Sequence, residues 1–142
     1  MRSTSHNIKI RILVVDDEQD ILLGLKWLLE GRGHYVKIFD KPRQALEHVA
    51  SPDVRYDLVI TDYRMPGGIS GLEVAKRVKE SNRRKARVFL MTAFDVSSLP
   101  ELNEAVNSNI VDEIIQKPIP NDKLVSLIEK KYFHDNNFHD IK

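Results

Sequence analysis

The sequence predicts a doubly wound α/β domain, in which helices cover both faces of a parallel sheet. Short apolar runs rich in branched residues alternate with longer segments of helical periodicity along the chain. The central runs, residues 58–60 and 88–91, are continuously apolar rather than apolar at every second residue, which is typical of strands buried on both faces. Since 142 residues suffice for one core and are too few for two, we predict a single domain of five strand–helix units.

Each predicted strand ends at a polar or turn-forming residue. The first, "IKIRILVV", stops at the pair Asp16-Asp17, and the third, "DLVIT", ends in the carboxylate of Asp62 before the turn "MPGG". Lys117 and Pro118 stop the last strand. The five strands are predicted at residues 8–15, 35–39, 58–62, 87–92 and 112–116.

The first two helices follow from apolar spacing and from their boundary residues. The first helix has five apolar side chains on one face, at Ile21, Leu22, Leu25, Leu28 and Leu29. A glycine ends it. Pro42 suits the first turn of the second helix, which runs through Leu46 and Val49.

The last three helices are predicted in the same way. Ser70 can cap the third, whose apolar residues are Leu72, Val74, Ala75 and Val78. Pro100 begins a weaker fourth helix through Val106. Asn121 or Asp122 caps the fifth, with inward residues Leu124, Leu127 and Ile128.

The amino-acid composition limits the classes of protein to which the chain can belong. The chain has no cysteine, a net charge of +1, and no apolar run near the roughly 18 residues of a membrane span. Lys9 and Arg11 interrupt the first apolar run, which argues against a secretory signal. We expect a soluble protein of the cytoplasm, with a short N-terminal extension at residues 1–8, the domain at 9–131, and a flexible, aperiodic tail at 132–142.

Chemically distinct side chains follow the strands at the points where they end. These are Asp16 and Asp17, Asp62, Thr92 and Lys117. The carboxyl ends of parallel strands share one edge of the sheet, where ligands bind in such folds. Three converging carboxylates repel one another unless a cation joins them, and Mg²⁺ is the best candidate because it also accepts phosphate oxygens.

An acid, a metal, a hydroxyl and an ammonium together indicate phosphoryl transfer to a carboxylate, with Asp62 as the nucleophile. Taken singly, each residue also has a structural explanation. Asp16, Asp17 and Glu18 can cap a helix, and Thr92 can cap the next one. Asp62 can begin a turn, and Lys117 can be solvated. Their joint placement at one edge favours the functional interpretation.

The chain resembles a response-regulator receiver domain of two-component signalling, of the stand-alone chemotaxis type. The resemblance covers about residues 9–131 and rests on "VVDDE", "DLVITDYRMPGGISGLE", "MTA" and "KP", in that order. It implies the flavodoxin-like strand order 2-1-3-4-5 with five helices. It also implies a protein that is not a conventional enzyme but catalyses its own aspartyl phosphorylation and dephosphorylation. A sensor histidine kinase or a phosphotransfer protein would supply the phosphoryl group.

The resemblance assigns roles to the metal ligands. Asp62 would accept the phosphoryl group and also bind the metal. Asp16 and Asp17 would organise Mg²⁺, with Mn²⁺ as an alternative ion, and the backbone carbonyl of Arg64 would complete the protein ligands.

The resemblance also assigns the switch. Thr92 and Lys117 would contact phosphoryl oxygens, and the bond before Pro118 would be cis. Phosphorylation would then reshape the face formed by the fourth helix, fifth strand and fifth helix, which binds an unidentified output protein or a second copy of the chain. Ile114 stands where receivers usually have an aromatic switch residue. Ile110 stands where they commonly have glycine, so "NSN" at 107–109 is expected to end the fourth helix poorly.

Two rival functions remain. The stretch 76–87 has seven basic residues and one acid, which suggests a nucleic-acid surface, but a solvated helix end is the more frequent explanation. No helix-turn-helix pattern follows it. A phosphatase with an Asp-x-Asp pair would need an acid two residues after Asp62, and Arg64 occupies that position.

Overall fold

The computed structural model describes residues 9–81 and 86–141, with 133–141 as backbone only. The predicted N-terminal extension, 1–8, lies outside the described residues. Within them, the strands are β1 Arg11–Val15, β2 Tyr35–Phe39, β3 Leu58–Asp62, β4 Arg87–Thr92 and β5 Glu113–Gln116. The helices are α1 Gln19–Gly31, α2 Pro42–Val49, α3 Gly71–Ser81, α4 Pro100–Asn107 and α5 Asn121–Ile141, with a 3₁₀ turn at Val96–Ser98.

The strands form one parallel sheet in the order β2-β1-β3-β4-β5, so the predicted fold is confirmed. The chain moves outward from β1 to β2 and then returns to the other side of β1 to place β3. The loops after β1 and β3 therefore diverge at this reversal and leave a crevice above the strand ends. The register aligns the ends, since Val15 pairs with Thr61, Asp62 with Met91, and Thr92 with Gln116.

Alternating strand residues fill two apolar layers. Leu13, Val59 and Leu90 face α2, α3 and α4, whereas Ile60 and Phe89 face α1 and α5. All five residues are fully buried. Each large side chain of this kind contributes about 1.5–3 kcal/mol on transfer from water, which makes the sheet a rigid support for its ends.

Several boundaries differ from the sequence prediction by a few residues. β1 begins at Arg11, where pairing with Tyr35 begins. Asn121 is the first helical residue of α5 rather than its cap, and the carbonyl of Pro120 accepts bonds from the amides of Lys123 and Leu124. Asp112 lies before β5 because its carboxylate accepts a hydrogen bond from the backbone N–H of Val88 at 2.7 Å.

The C-terminal boundary also differs. α5 continues to Ile141, and the Tyr132 hydroxyl donates a 2.6 Å hydrogen bond to the backbone carbonyl of Asp57. Arg87 lies 5.3 Å from the Tyr132 ring. Tyr132 follows Ile128 by one helical turn and therefore lies on the same side, where it packs against the apolar layer. Flexibility of the residues beyond it stays a prediction.

Among the described helices, none has both the length and the apolarity that crossing a membrane requires.

Candidate functional site

Three carboxylates meet where β1 and β3 end. Asp16, Asp17 and Asp62 each offer an oxygen within 4.8 Å of the others. Asp16 is fully buried and Asp62 is 7% exposed, whereas Asp17 faces solvent. Burial raises the pKa of Asp62 to about 6, and the charge of Asp16 adds to that effect while Lys117 opposes it. Burial also raises the pKa of Asp16. The cluster therefore resists full ionisation until a cation joins it.

Lys117 is the cation that the chain itself supplies. Its Nζ lies 3.1 Å from Asp16 Oδ2, 3.1 Å from Glu18 Oε1 and 3.2 Å from Asp62 Oδ1. Burial lowers the pKa of Lys117, but the carboxylates of Asp16 and Asp62 outweigh this and raise it above its ordinary value. Lys117 is therefore charged at neutral pH. Glu18, which the sequence suggested only as a helix cap, is a third partner of this ammonium group.

Backbone contacts fix the position of Asp62. Every residue of β3 is buried, and the N–H of Tyr63 donates a 2.8 Å bond to the carbonyl of Met91. The N–H of Gly71, the first residue of α3, donates a 2.7 Å bond to the carbonyl of Tyr63. A Cβ on Gly71 would lie 2.1 Å from the carbonyl oxygen of Asp62. Only glycine permits this approach, and sequence reasoning overlooked Gly71 because its neighbour is distant in sequence.

Thr92 and the loop after β4 border the site on the side of β4. Thr92 is buried, and its Oγ1 accepts a 3.0 Å hydrogen bond from the N–H of Phe94. The Arg64 guanidinium lies 4.9 Å from the Phe94 ring. Between these groups a cavity of about 120 Å³ opens, lined by Glu18, Asp62, Arg64, Thr92, Ala93, Phe94 and Lys117. The cavity borders the carboxylate, the hydroxyl and the ammonium group together.

The remaining predicted positions lie in β5 and at the two ends of the segment that contains it. The Lys117–Pro118 peptide bond is cis. Ile114 is half-buried against the apolar layer that contacts α4. The expectation of a poor end to α4 was wrong, because Asn109 adopts a left-handed φ of 64° and the N–H of Ile110 donates to the Ala105 carbonyl at 2.9 Å. Asparagine is the usual substitute for glycine in such a helix cap.

Contacts within the domain engage part of the basic stretch where it is described. Residues 82–85 lie outside the described residues. Lys79 Nζ donates to Asp112 Oδ2 and to the Ala86 carbonyl, both at 2.9 Å, so this lysine joins α3 to the sheet. Arg77 lies 3.9 Å from Glu80. These contacts favour a structural role for the described lysine over nucleic-acid binding.

Asp62→Asn is expected to raise the free energy of unfolding of the metal-free protein at pH 7 by about 1–2 kcal/mol. Each pKa unit corresponds to about 1.4 kcal/mol, and the expected gain is smaller than the whole pKa shift of Asp62 would give. Folded Asp62, with its pKa near 6, holds a proton that the unfolded chain has released, so wild-type stability falls as pH rises from about 4 to about 6. The stability gained by the asparagine variant should be complete above about pH 6 and absent below about pH 4. Urea unfolding of both proteins across this range with a chelator measures it; a gain independent of pH contradicts the assignment.

The chain matches a family model described as "Response regulator receiver domain" over residues 12–129. The transcriptional regulatory protein FixJ of Bradyrhizobium diazoefficiens is 32% identical over 121 residues, which are 85% of this chain and 56% of FixJ. The transcriptional regulatory protein ZraR of Escherichia coli K12 is 36% identical over 128 residues, 90% of this chain and 27% of ZraR. The chain thus spans about half the length of the first and about a quarter of the second.

Solved structures agree with these matches. A CheY-like response regulator receiver domain protein from Methanospirillum hungatei superposes with a TM-score of 0.75 at 25% identity, covering 91% of this chain and 97% of that one. The response regulator protein TrrA from Thermotoga maritima, solved in complex with Mg²⁺-BeF, is 35% identical with a TM-score of 0.64, covering 84% of this chain and 96% of that one.

Proposed function

Because the chain belongs to the response regulator receiver domain family, we propose that it accepts a phosphoryl group on Asp62 from a histidine kinase or phosphotransfer protein and thereby switches a protein–protein interaction. One observation supports this proposal above others. Asp62 ends a fully buried strand, lies within 4.8 Å of two further carboxylates, and borders a cavity that Lys117 and Thr92 also line.

The donor set fits a hard divalent cation. Carboxylate oxygens of Asp16, Asp17 and Asp62 are the ligands that Mg²⁺ prefers, and Asp17 leaves one side open to solvent. The backbone carbonyl of Arg64, which lines the same cavity, is proposed as the fourth protein ligand. When bound, Mg²⁺ supplies positive charge to the acceptor carboxylate and to phosphoryl oxygens. Mn²⁺ is an alternative ion with the same ligand preference.

The residues of the chain account for the transfer. A carboxylate oxygen of Asp62 attacks the phosphorus atom and forms a new P–O bond, while the P–N bond of the donor phosphohistidine breaks and its electron pair stays on the imidazole nitrogen. Lys117 holds one phosphoryl oxygen by charge, and the Thr92 hydroxyl donates a hydrogen bond to another. Hydrolysis later returns the Asp62 carboxylate and releases inorganic phosphate when water attacks the phosphorus.

The switch follows from the charge that the phosphoryl group adds, about −1.5 to −2. In the structure, Lys117 is shared among Asp16, Glu18 and Asp62, so a phosphoryl group would compete for the same ammonium. Movement of Thr92 toward the new charge would alter the face of α4, β5 and α5. We propose that this face, with Ile114 at its base, binds the output protein or a second copy of the chain.

The test is intact-mass measurement after incubation with phosphoramidate, whose P–N bond resembles that of the natural donor, in the presence of Mg²⁺. We expect one phosphoryl group per chain, lost on treatment with hydroxylamine as an acyl phosphate should be, and absent when a chelator replaces Mg²⁺. A label that resists hydroxylamine or forms without metal would reject phosphoryl acceptance by this carboxylate cluster.

A further inference from the structure

The side chain of Gln116 joins three carbonyl groups at the edge of the site. Gln116 is the last residue of β5 and pairs in register with Thr92. Its Nε2 lies 3.1 Å from the carbonyl oxygen of Thr92, 3.1 Å from that of Phe94 and 3.3 Å from that of Lys117. One side-chain nitrogen therefore connects the end of β4, the loop after it, and the residue that contacts Asp62.

The site requires a hydrogen-bond donor at this point. Carbonyl oxygens accept hydrogen bonds and cannot donate them, so three of them around one atom favour an N–H group and disfavour an oxygen. The Thr92 carbonyl also accepts a 2.8 Å bond from the backbone N–H of Lys117. The amide of Gln116 adds the contact that the sheet does not provide, because Phe94 lies beyond the end of β4.

The loop held in this way orients the Thr92 hydroxyl. The N–H of Phe94 donates to Thr92 Oγ1 at 3.0 Å, which leaves the proton of the hydroxyl available for a bond into the cavity. The Phe94 carbonyl belongs to the next peptide unit, so its release would let Phe94 rotate about its backbone dihedrals and turn its N–H away from Thr92 Oγ1. The position of Phe94 thus influences the direction in which the Thr92 hydroxyl donates into the cavity that Asp62 also lines.

Gln116 lies on the side of the site formed by β4 and β5, away from the carboxylates. Gln116 and Ile114 are two residues apart in β5 and lie on the same face of the sheet. Ile114 has no group that could hold the loop by a hydrogen bond. The proposed metal-binding carboxylates lie at the ends of β1 and β3, whereas the hydrogen bonds of the Gln116 side chain go to β4, its loop and the carbonyl of Lys117.

We propose that Gln116 is a positioning residue for phosphoryl acceptance, which holds the loop from Thr92 to Phe94 so that the Thr92 hydroxyl faces a phosphoryl group on Asp62. The inference rests on the function proposed above. It assigns to Gln116 an effect on phosphoryl oxygens and none on metal affinity, because its side chain contacts backbone carbonyls and none of the three carboxylates.

Three substitutions of Gln116 separate donor capacity from size. Gln116→Met keeps the length of the side chain without a donor, Gln116→Glu places an acceptor against the carbonyls, and Gln116→Lys restores a donor. With phosphoramidate and saturating Mg²⁺, we expect the labelling rate to fall roughly tenfold in the methionine variant. A fall of this size corresponds to the loss of one to two hydrogen bonds. It should fall further with glutamate and return to within about threefold of wild type with lysine. Mg²⁺ affinity should be the same in wild type and in the methionine variant, which has the same charge.

The outcomes distinguish this inference from the proposed function. Equal labelling of wild type and Gln116→Met would overturn the role of Gln116 while leaving phosphoryl acceptance intact. A parallel loss of Mg²⁺ affinity, or a lysine variant as slow as methionine, would also overturn it, because either result indicates general damage. Gln116→Leu serves if the methionine variant fails to fold. A wild type that takes no label overturns both proposals together.

Discussion

Asp62→Asn is expected to abolish phosphoryl acceptance, with a labelling rate at least about 1,000-fold below wild type, because an amide oxygen is a far weaker nucleophile than a carboxylate. Asparagine has nearly the same shape as aspartate, so the surrounding cavity should persist. The measurement is the intact-mass time course with phosphoramidate and Mg²⁺ described above, run with unfolding curves on the same preparation.

A matched control comes from another aspartate of the chain. Asp53 is exposed, and its backbone N–H bonds to Ser51 at 3.4 Å, well outside the acidic cluster. Asp53→Asn changes the net charge by the same amount and should label at the wild-type rate. Equal labelling of the Asp62→Asn and wild-type proteins would show that another residue accepts the phosphoryl group.

Gly71→Ala is expected to destabilise the fold by roughly 3 kcal/mol, the upper part of the range for overpacking. The added Cβ would lie 2.1 Å from the Asp62 carbonyl oxygen and 2.8 Å from Leu90 Cδ1. The oxygen belongs to a strand buried along its whole length, so it has little room to move. We expect the melting temperature to fall by roughly 10 °C and labelling of the folded fraction to slow, because the displaced group belongs to the proposed phosphoacceptor residue.

Gly31→Ala is the control for this substitution. Gly31 is the last residue of α1, and a Cβ there meets no described atom within 4 Å. Alanine favours helix over glycine by up to about 1 kcal/mol, so this variant should match or exceed wild-type stability. If Gly71→Ala were as stable as Gly31→Ala in calorimetry, the close approach of α3 to β3 would not constrain the site.

Local patterns predicted most of the architecture. The apolar runs ending at Asp62 and Thr92 were placed correctly because both faces of the sheet are covered, which leaves a signal within each run. The convergence of Asp16, Asp62 and Lys117 also followed from the sequence, since the carboxyl ends of parallel strands must share an edge. The order of the strands did not follow from periodicity and came from the family resemblance.

The sequence by itself therefore determined the strand–helix alternation, the identity of the residues at the strand ends and the chemistry that they can perform. The tertiary structure decided which distant groups meet them. Three contacts join residues whose proximity arises only when the elements pack: that of Glu18 with Lys117, that of Gln116 with the Phe94 carbonyl, and the close approach of Gly71 to Asp62. Tyr132 likewise contacts Asp57 across 75 positions of the chain. The physical reason is that periodicity records which side of an element is buried, whereas a contact between loops depends on the positions of two elements at once.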